Sequence, residues 1–226
     1  MRYMKRERLK NLITIAILSA LAFLVMVLVK ISVVPAAPFL RYDPKDVVIV
    51  IGGFLFGPLA ALSMSIIVAL MEMLTVSTSG FIGFFMNSIS SAAFTCTAAF
   101  IYKKKRTIAG AIIGLASGVI MSTAVMILWN YLITPIFMST PREVIATLLI
   151  PVFLPFNLIK GTLNAGIAML VYKPLSKALR KLNIMPKSES NTKTASSRKL
   201  NIGVLAVSCF IIITCVMIVL VINKVI

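Results

Sequence analysis

Asn157, Lys160 and Asn164 lie three and four residues apart in Leu154-Pro155-Phe156-Asn157-Leu158-Ile159-Lys160-Gly161-Thr162-Leu163-Asn164, an otherwise apolar run. That spacing puts all three on one face of a helix. A Lys within a membrane span costs several kcal/mol and by default marks a functional site. Pro151 and Pro155 stand just upstream and are expected to disturb the start of this helix. A cation and two carboxamides beside a disturbed backbone form a set suited to holding a polar solute by hydrogen bonds, since Lys only donates and Asn both donates and accepts.

Chemistry beyond binding is hard to find. The chain has no His, so it lacks the commonest general base and metal ligand. It has no G-x-x-x-x-G-K-[ST] phosphate loop, no nucleophile elbow and no carboxylate pair placed within a span. An enzyme is not expected, nor a bound metal or cofactor. Cys96, Cys209 and Cys215 are scattered through apolar segments without metal-ligand spacing and read as buried thiols.

The elements that must position these residues follow from composition. The chain is 60% hydrophobic and 13% charged, with a mean hydropathy of +1.04. Several runs approach the ~20 apolar residues that cross a bilayer core, so the fold class is all-α and polytopic, embedded in the cell membrane. The net charge of +17 does not point to nucleic acid. Basic residues cluster at span ends (Arg2 to Lys10, Lys103 to Arg106, Lys173 through Lys199), as cytoplasmic loops do, and such loops also favour anionic lipid. No aromatic platforms interleave with them.

Spans are expected at about Leu12 to Val34, Val47 to Phe56, Leu59 to Leu74, Phe81 to Tyr102, Ile108 to Phe137 and Leu148 to Tyr172. The second and third are short and joined by a tight break at Gly57-Pro58, as interrupted transporter helices often are. Residues 1–184 would form a six-helix domain. Residues 185–199 read as a polar cytoplasmic linker, and 200–226 as an additional transmembrane helix, about Leu200 to Ile222. With the basic clusters inside, the N-terminus is cytoplasmic and the C-terminus outside.

Polar groups within the spans converge on the outer side. Asn87, Asn130 and Glu72 each fall roughly 9 Å or less below that boundary at ~1.5 Å per residue. Asn157 is comparable, and Lys160 can reach outward along its stem. With the proline-rich first loop they would line an outward-open cavity. Each has a plainer reading: Asn87 as an interhelical hydrogen-bond partner, Trp129 and Tyr131 as interface belt, Glu72 as a counter-ion to Lys160.

Five stretches then resemble the riboflavin-specific substrate-binding (S) component of energy-coupling factor (ECF) transporters, the RibU type. They are Tyr42-Asp43-Pro44-Lys45-Asp46-Val47 with Gly53-Phe54-Leu55-Phe56-Gly57-Pro58; Asn87-Ser88-Ile89-Ser90-Ser91-Ala92-Ala93-Phe94; Ile101-Tyr102-Lys103-Lys104-Lys105-Arg106; Trp129-Asn130-Tyr131 with Pro135; and Pro155-Phe156-Asn157-Leu158-Ile159-Lys160-Gly161. They recur in order over roughly residues 10 to 180. The resemblance implies a six-helix fold that encloses the vitamin from outside, with Asn130, Asn157 and Lys160 touching riboflavin and Leu40, Tyr42 and Asn87 as further contacts. Riboflavin is then cargo, not cofactor. The resemblance also implies that Ala16 and Ala20, small residues four apart that allow close helix approach, dock a transmembrane coupling subunit joined to two cytoplasmic ATPases. Internal packing is the alternative for that pair. The linker and seventh span depart from the family pattern. Rival readings are an S component for another vitamin, such as thiamin or pantothenate, and an ion-coupled secondary transporter using Lys160 and Glu72. A scaffold without a ligand is a third.

Overall fold

The computed structural model describes residues 2–32, 40–181 and 195–222. Helix α1, Arg2–Leu28, leads to a two-residue antiparallel pair, β1 (Ile31–Ser32) and β2 (Arg41–Tyr42), with Ile31 opposite Tyr42. There follow α2 (Lys45–Phe56), α3 (Pro58–Thr75), α4 (Gly80–Lys104) and α5 (Ile108–Leu132). Two short helices, α6 (Thr134–Met138) and α7 (Arg142–Leu148), precede α8 (Leu154–Lys181) and α9 (Ala195–Ile222). Among the described residues, five helical stretches are long and apolar enough to cross a bilayer, and Ala206–Val221 is a shorter apolar one. The fold is therefore the expected all-α bundle of a multi-pass membrane protein.

Each of the six expected spans and the additional one corresponds to a helix among the described residues (α1 to α5, α8 and α9), but α2 differs from a spanning element. Its 12 residues rise only ~18 Å, against a hydrocarbon core of ~30 Å. Nine of the 12 are buried, among them Lys45 and Asp46, so α2 lies inside the protein rather than along lipid. The expected break after it is present. Gly57 has φ +97, a conformation that glycine alone adopts at no steric cost, and Pro58 opens α3 where its missing N–H is harmless.

Boundaries are corrected at several elements. The first span ends at Leu28 rather than Val34, with β1 starting at Ile31, and the helix of the sixth runs on to Lys181 past Tyr172. The fifth span ends at Leu132 rather than Phe137, because Pro135 starts the separate helix α6. The additional helix begins at Ala195 rather than Leu200; residues 185–194 of the expected linker, like 35–39 of the first loop, lie outside the described residues. The expected disturbance at Pro151 and Pro155 is a π-helical turn, Leu149–Phe153. Such turns accommodate an extra residue in the helix and often mark functional sites.

Small residues bring the backbones together. A methyl placed on Gly114 would lie 2.7 Å from the Ala98 carbonyl oxygen, and one on Gly118 2.6 Å from that of Phe94. Helices α4 and α5 therefore touch at backbone distance, which fixes the wall that carries Asn87 and Asn130. The main core joins Leu18 and Ala22 of α1, Ile49 to Phe54 of α2, Met64 and Val68 of α3, Phe94 and Ala98 of α4, Leu115 of α5 and Ala168 of α8. A second cluster gathers Leu40, Tyr42, Ile145, Phe153, Phe156, Ile159, Leu163 and Cys215. Through Cys215, α9 packs behind the α8 wall. Cys209, by contrast, is exposed and Cys96 half-buried, so only one of the three thiols is buried as expected.

Candidate functional site

A cavity of about 250 Å³ opens at the end of the bundle where α3 and α5 finish and α4 and α8 begin. Its volume falls just under the ~300–1,000 Å³ range of small-molecule sites. Leu40 just before β2, Arg41 of β2, Asp43 after it and Lys30 after α1 lie on one side, and Glu72 of α3 and the turn 76–79 on another. Met86, Asn87 and Ser90 of α4, Met126 and Asn130 of α5, and Phe156, Asn157 and Lys160 of α8 complete it. Thioether and phenyl groups give apolar walls, while carboxamides and charges supply a few placed polar groups. A larger apolar recess between α5, α8 and α9, about 430 Å³, offers few polar side chains, Thr162 and Ser208, and is a weaker candidate for recognising a polar solute.

Five of the six residues expected at the site line this cavity: Leu40, Asn87, Asn130, Asn157 and Lys160. Tyr42 does not. Its hydroxyl instead donates to Asn164 Oδ1 at 3.1 Å, one turn deeper along α8 than Lys160. The carboxamides are tightly held. Asn130 Nδ2 donates to the Met126 carbonyl and Asn157 Nδ2 to the Phe153 carbonyl, each at 2.7 Å. The second of these carbonyls closes the π-helical turn, so the proline-disturbed backbone orients a cavity residue. Thr134 of α6 donates to Asn130 Oδ1 at 2.9 Å.

The charged residues form a continuous chain. Lys160 Nζ meets Asp43 Oδ2 at 3.0 Å; Lys45 Nζ lies 3.8 Å from Asp43 Oδ1 and 2.8 Å from Glu72 Oε2. Lys30 Nζ reaches Glu72 Oε1 at 3.3 Å, and Asn87 Nδ2 donates to Glu72 Oε2 at 2.9 Å. Beside this chain, Asp46 accepts from Ser91 Oγ at 2.5 Å and from Asn164 Nδ2 at 3.4 Å. Burial alone would raise the Asp43 carboxyl, but the Lys160 and Lys45 ammoniums outweigh it and hold it well below the usual carboxylate range. A folded-state pKa below the unfolded value means the stability it contributes is present above ~3.9 and lost as pH falls through the lower value.

One alternative reading is corrected by this chain. Glu72 is not the counter-ion of Lys160, because Lys45 and Lys30 occupy it while Asp43 takes Lys160. Three buried carboxylates gather here, Asp43, Asp46 and Glu72, with Asp43 before α2, Asp46 in its first turn and Glu72 on α3. The sequence signal for them was the mixed-charge run Asp43-Pro44-Lys45-Asp46 passing into Val47 with no polar spacer. Ala16 and Ala20 are exposed on α1, beside Ile13, Ile17 and Leu24, and away from the buried stripe Leu18, Ala22 and Met26.

Residues 10–172 match the family model described as ECF transporter, substrate-specific component. The chain belongs to that family. It is 30% identical over 187 residues to the riboflavin transporter RibU of Staphylococcus aureus, covering 80% of this chain and 98% of the relative. It is 29% identical over 175 residues to the riboflavin transporter FmnP of Bacillus subtilis, covering 73% and 91%. A solved structure, described as the structure and mechanism of the S component of a bacterial ECF transporter, superposes with a TM-score of 0.65. It is 32% identical and covers 76% of this chain and 98% of that one. As a member of this family the chain is a transporter component, and α9 falls beyond the matched residues.

Proposed function

We propose that this chain captures riboflavin from outside the cell and delivers it inward as the substrate-binding subunit of an ATP-driven ECF module. The observation that carries the reading is the cavity in which Asn130, Asn157 and Lys160 meet on the chain's family background. An isoalloxazine is flat and mostly apolar, with alternating donors and acceptors along its pyrimidine edge. Met86, Met126 and Phe156 suit its faces, and Lys160 suits a carbonyl or ribityl oxygen. Leu40 and Asn87 complete the set, and riboflavin is cargo rather than cofactor.

The chain has no nucleotide-hydrolysing loop, so work against a gradient falls to partners. Ala16 and Ala20 offer a small-residue face on α1 for a transmembrane coupling subunit, which joins two cytoplasmic ATPases. In this reading the subunit does not transform its cargo chemically. Its N-terminus is cytoplasmic, and α9, running back along α8, leaves the C-terminus outside. The test is titration of the purified protein with riboflavin, followed by quenching of flavin fluorescence. Saturable, stoichiometric quenching supports the reading; its absence, with thiamin or pantothenate binding instead, replaces the cargo.

A further inference from the structure

We propose that the apolar groove between α5, α8 and α9 holds one acyl chain of an anionic phospholipid, whose headgroup rests among the basic residues at the same end of these helices. The inference does not depend on what the cargo is. The groove, about 430 Å³, shares no lining residue with the cavity described above. One of its walls is α9, which lies beyond the residues matched to the family.

Glycines on α8 set its shape. A methyl on Gly161 would lie 3.1 Å from Val119 Cγ1 of α5, and one on Gly166 3.1 Å from Ile212 Cγ1 of α9. Helix α8 is thus pressed against both neighbours, and the open space is left between α5 and α9. Leu115 and Val119 are buried in its floor, while Ile112, Ile120 and Val207 are exposed along its rim. An apolar chain laid there gains dispersion contacts on three sides, each small but many in sum.

Depth and charge specify the occupant. Helix α5 starts at Ile108, and the groove runs along it from Ile112 to Ile120, ~6 to ~18 Å from that start. One leaflet holds half of a ~30 Å hydrocarbon core, so the groove lies at the depth of a single leaflet's acyl chains. The ends of the three helices nearest to it are basic. Lys103, Lys104, Lys105 and Arg106, all exposed, stand just before α5. Lys173 follows Met169 about one turn further along α8, and Arg198 and Lys199 come about two turns before Val207 on α9. Residues 98–112, 165–181 and 195–210 contain no Asp or Glu, so these stretches carry no acidic group of their own to answer the cations. Clusters of this kind attract anionic headgroups.

The experiment is native mass spectrometry of the purified full-length chain, equilibrated in detergent with equal amounts of phosphatidylglycerol, which is anionic, and phosphatidylcholine, which carries no net charge. Wild type is expected to retain one phosphatidylglycerol per chain. Each basic residue at an anionic headgroup contributes about a factor of five, so two of them give a preference of roughly tenfold or more. Ala116→Trp and Val207→Trp fill the groove from its opposite rims, at exposed positions, and leave every basic residue in place. Each should lose the retained lipid while unfolding thermally near wild type, and if one does not fold the other decides. Phosphatidylglycerol held by the Trp variants as by wild type overturns the proposal, because the lipid then adheres to the basic surface alone. Equal retention of the two lipids by wild type overturns it as well. So does a wild type that retains neither, or that pairs with a second copy of the chain in their place.

Discussion

Lys45 and Glu72 offer a demanding test of how the cavity floor is held together. Lys45 is 1% exposed, its Nζ lies 2.8 Å from Glu72 Oε2, and its other carboxylate neighbour is Asp43 Oδ1 at 3.8 Å. Glu72→Gln removes one charge while leaving an oxygen for Asn87 Nδ2. Lys45 still donates to that same oxygen, but the carboxylate left beside it is Asp43, at the longer distance and already engaged by Lys160. Leaving a buried charge without its partner costs about 3–5 kcal/mol, whereas replacing both members by uncharged groups of similar volume is often neutral or better. Glu72→Gln should destabilise by that amount; Lys45→Met should cost less, because Glu72 keeps Lys30 at 3.3 Å and Asn87 at 2.9 Å, and the double variant should recover most of the Glu72→Gln loss. For a chain of this size 1 kcal/mol corresponds to roughly 2–4 °C, so Glu72→Gln should lower Tm in detergent by roughly 6–20 °C. The assay is thermal unfolding followed by far-ultraviolet circular dichroism across the four proteins of the cycle. Additive losses in the double variant, or a Glu72→Gln protein that melts like wild type, would refute the argument that these charges are mutually compensated.

Other outcomes follow from the same geometry. Asn157→Ala and Lys160→Ala should each weaken riboflavin binding by about ten- to a hundredfold in fluorescence titrations, and unchanged affinity in both would remove them from the site. Replacing Ala16 and Ala20 together by Leu should leave riboflavin affinity alone and reduce uptake in cells carrying the complete ECF module; retained uptake would end the docking assignment. Gly118→Ala should cost about 1–3 kcal/mol through overpacking, since its methyl would sit 2.6 Å from the Phe94 carbonyl oxygen. Calorimetry showing no lowered Tm would mean that α4 and α5 separate without penalty.

Much of the site was legible because polar residues inside apolar runs have few innocent explanations. Asn130, Asn157 and Lys160 stand out on that ground, and all three reach the cavity. Asp43, Lys45 and Asp46 did not stand out, because a proline-rich, mixed-charge stretch has the composition of a solvated loop. What the composition hides is the tertiary neighbourhood. Partners at 118, 117, 45 and 27 residues' separation engage these groups indoors, and no local pattern encodes such pairings. Glu72 shows the same limit: its depth along α3 could be read, but its choice of Lys45 over Lys160 depends on how α2 is tucked inside. The end of α5 was obscured differently. Tyr131-Leu132-Ile133-Thr134-Pro135-Ile136-Phe137 stays apolar through the break, so only Pro135 hinted at a new helix, and Pro is compatible with the first turn of one.

Counting Arg41, which lines the cavity and is exposed, the ionic groups in and behind its wall are four cations, Lys30, Arg41, Lys45 and Lys160, against three carboxyl groups, Asp43, Asp46 and Glu72. Most of these charges are answered at contact, and the surplus one stands at the surface. A solute bearing negative charge meets a weak pull there, which salt shortens to ~10 Å or less at 0.1 M and above. An uncharged solute is judged only at touching distance, atom against atom.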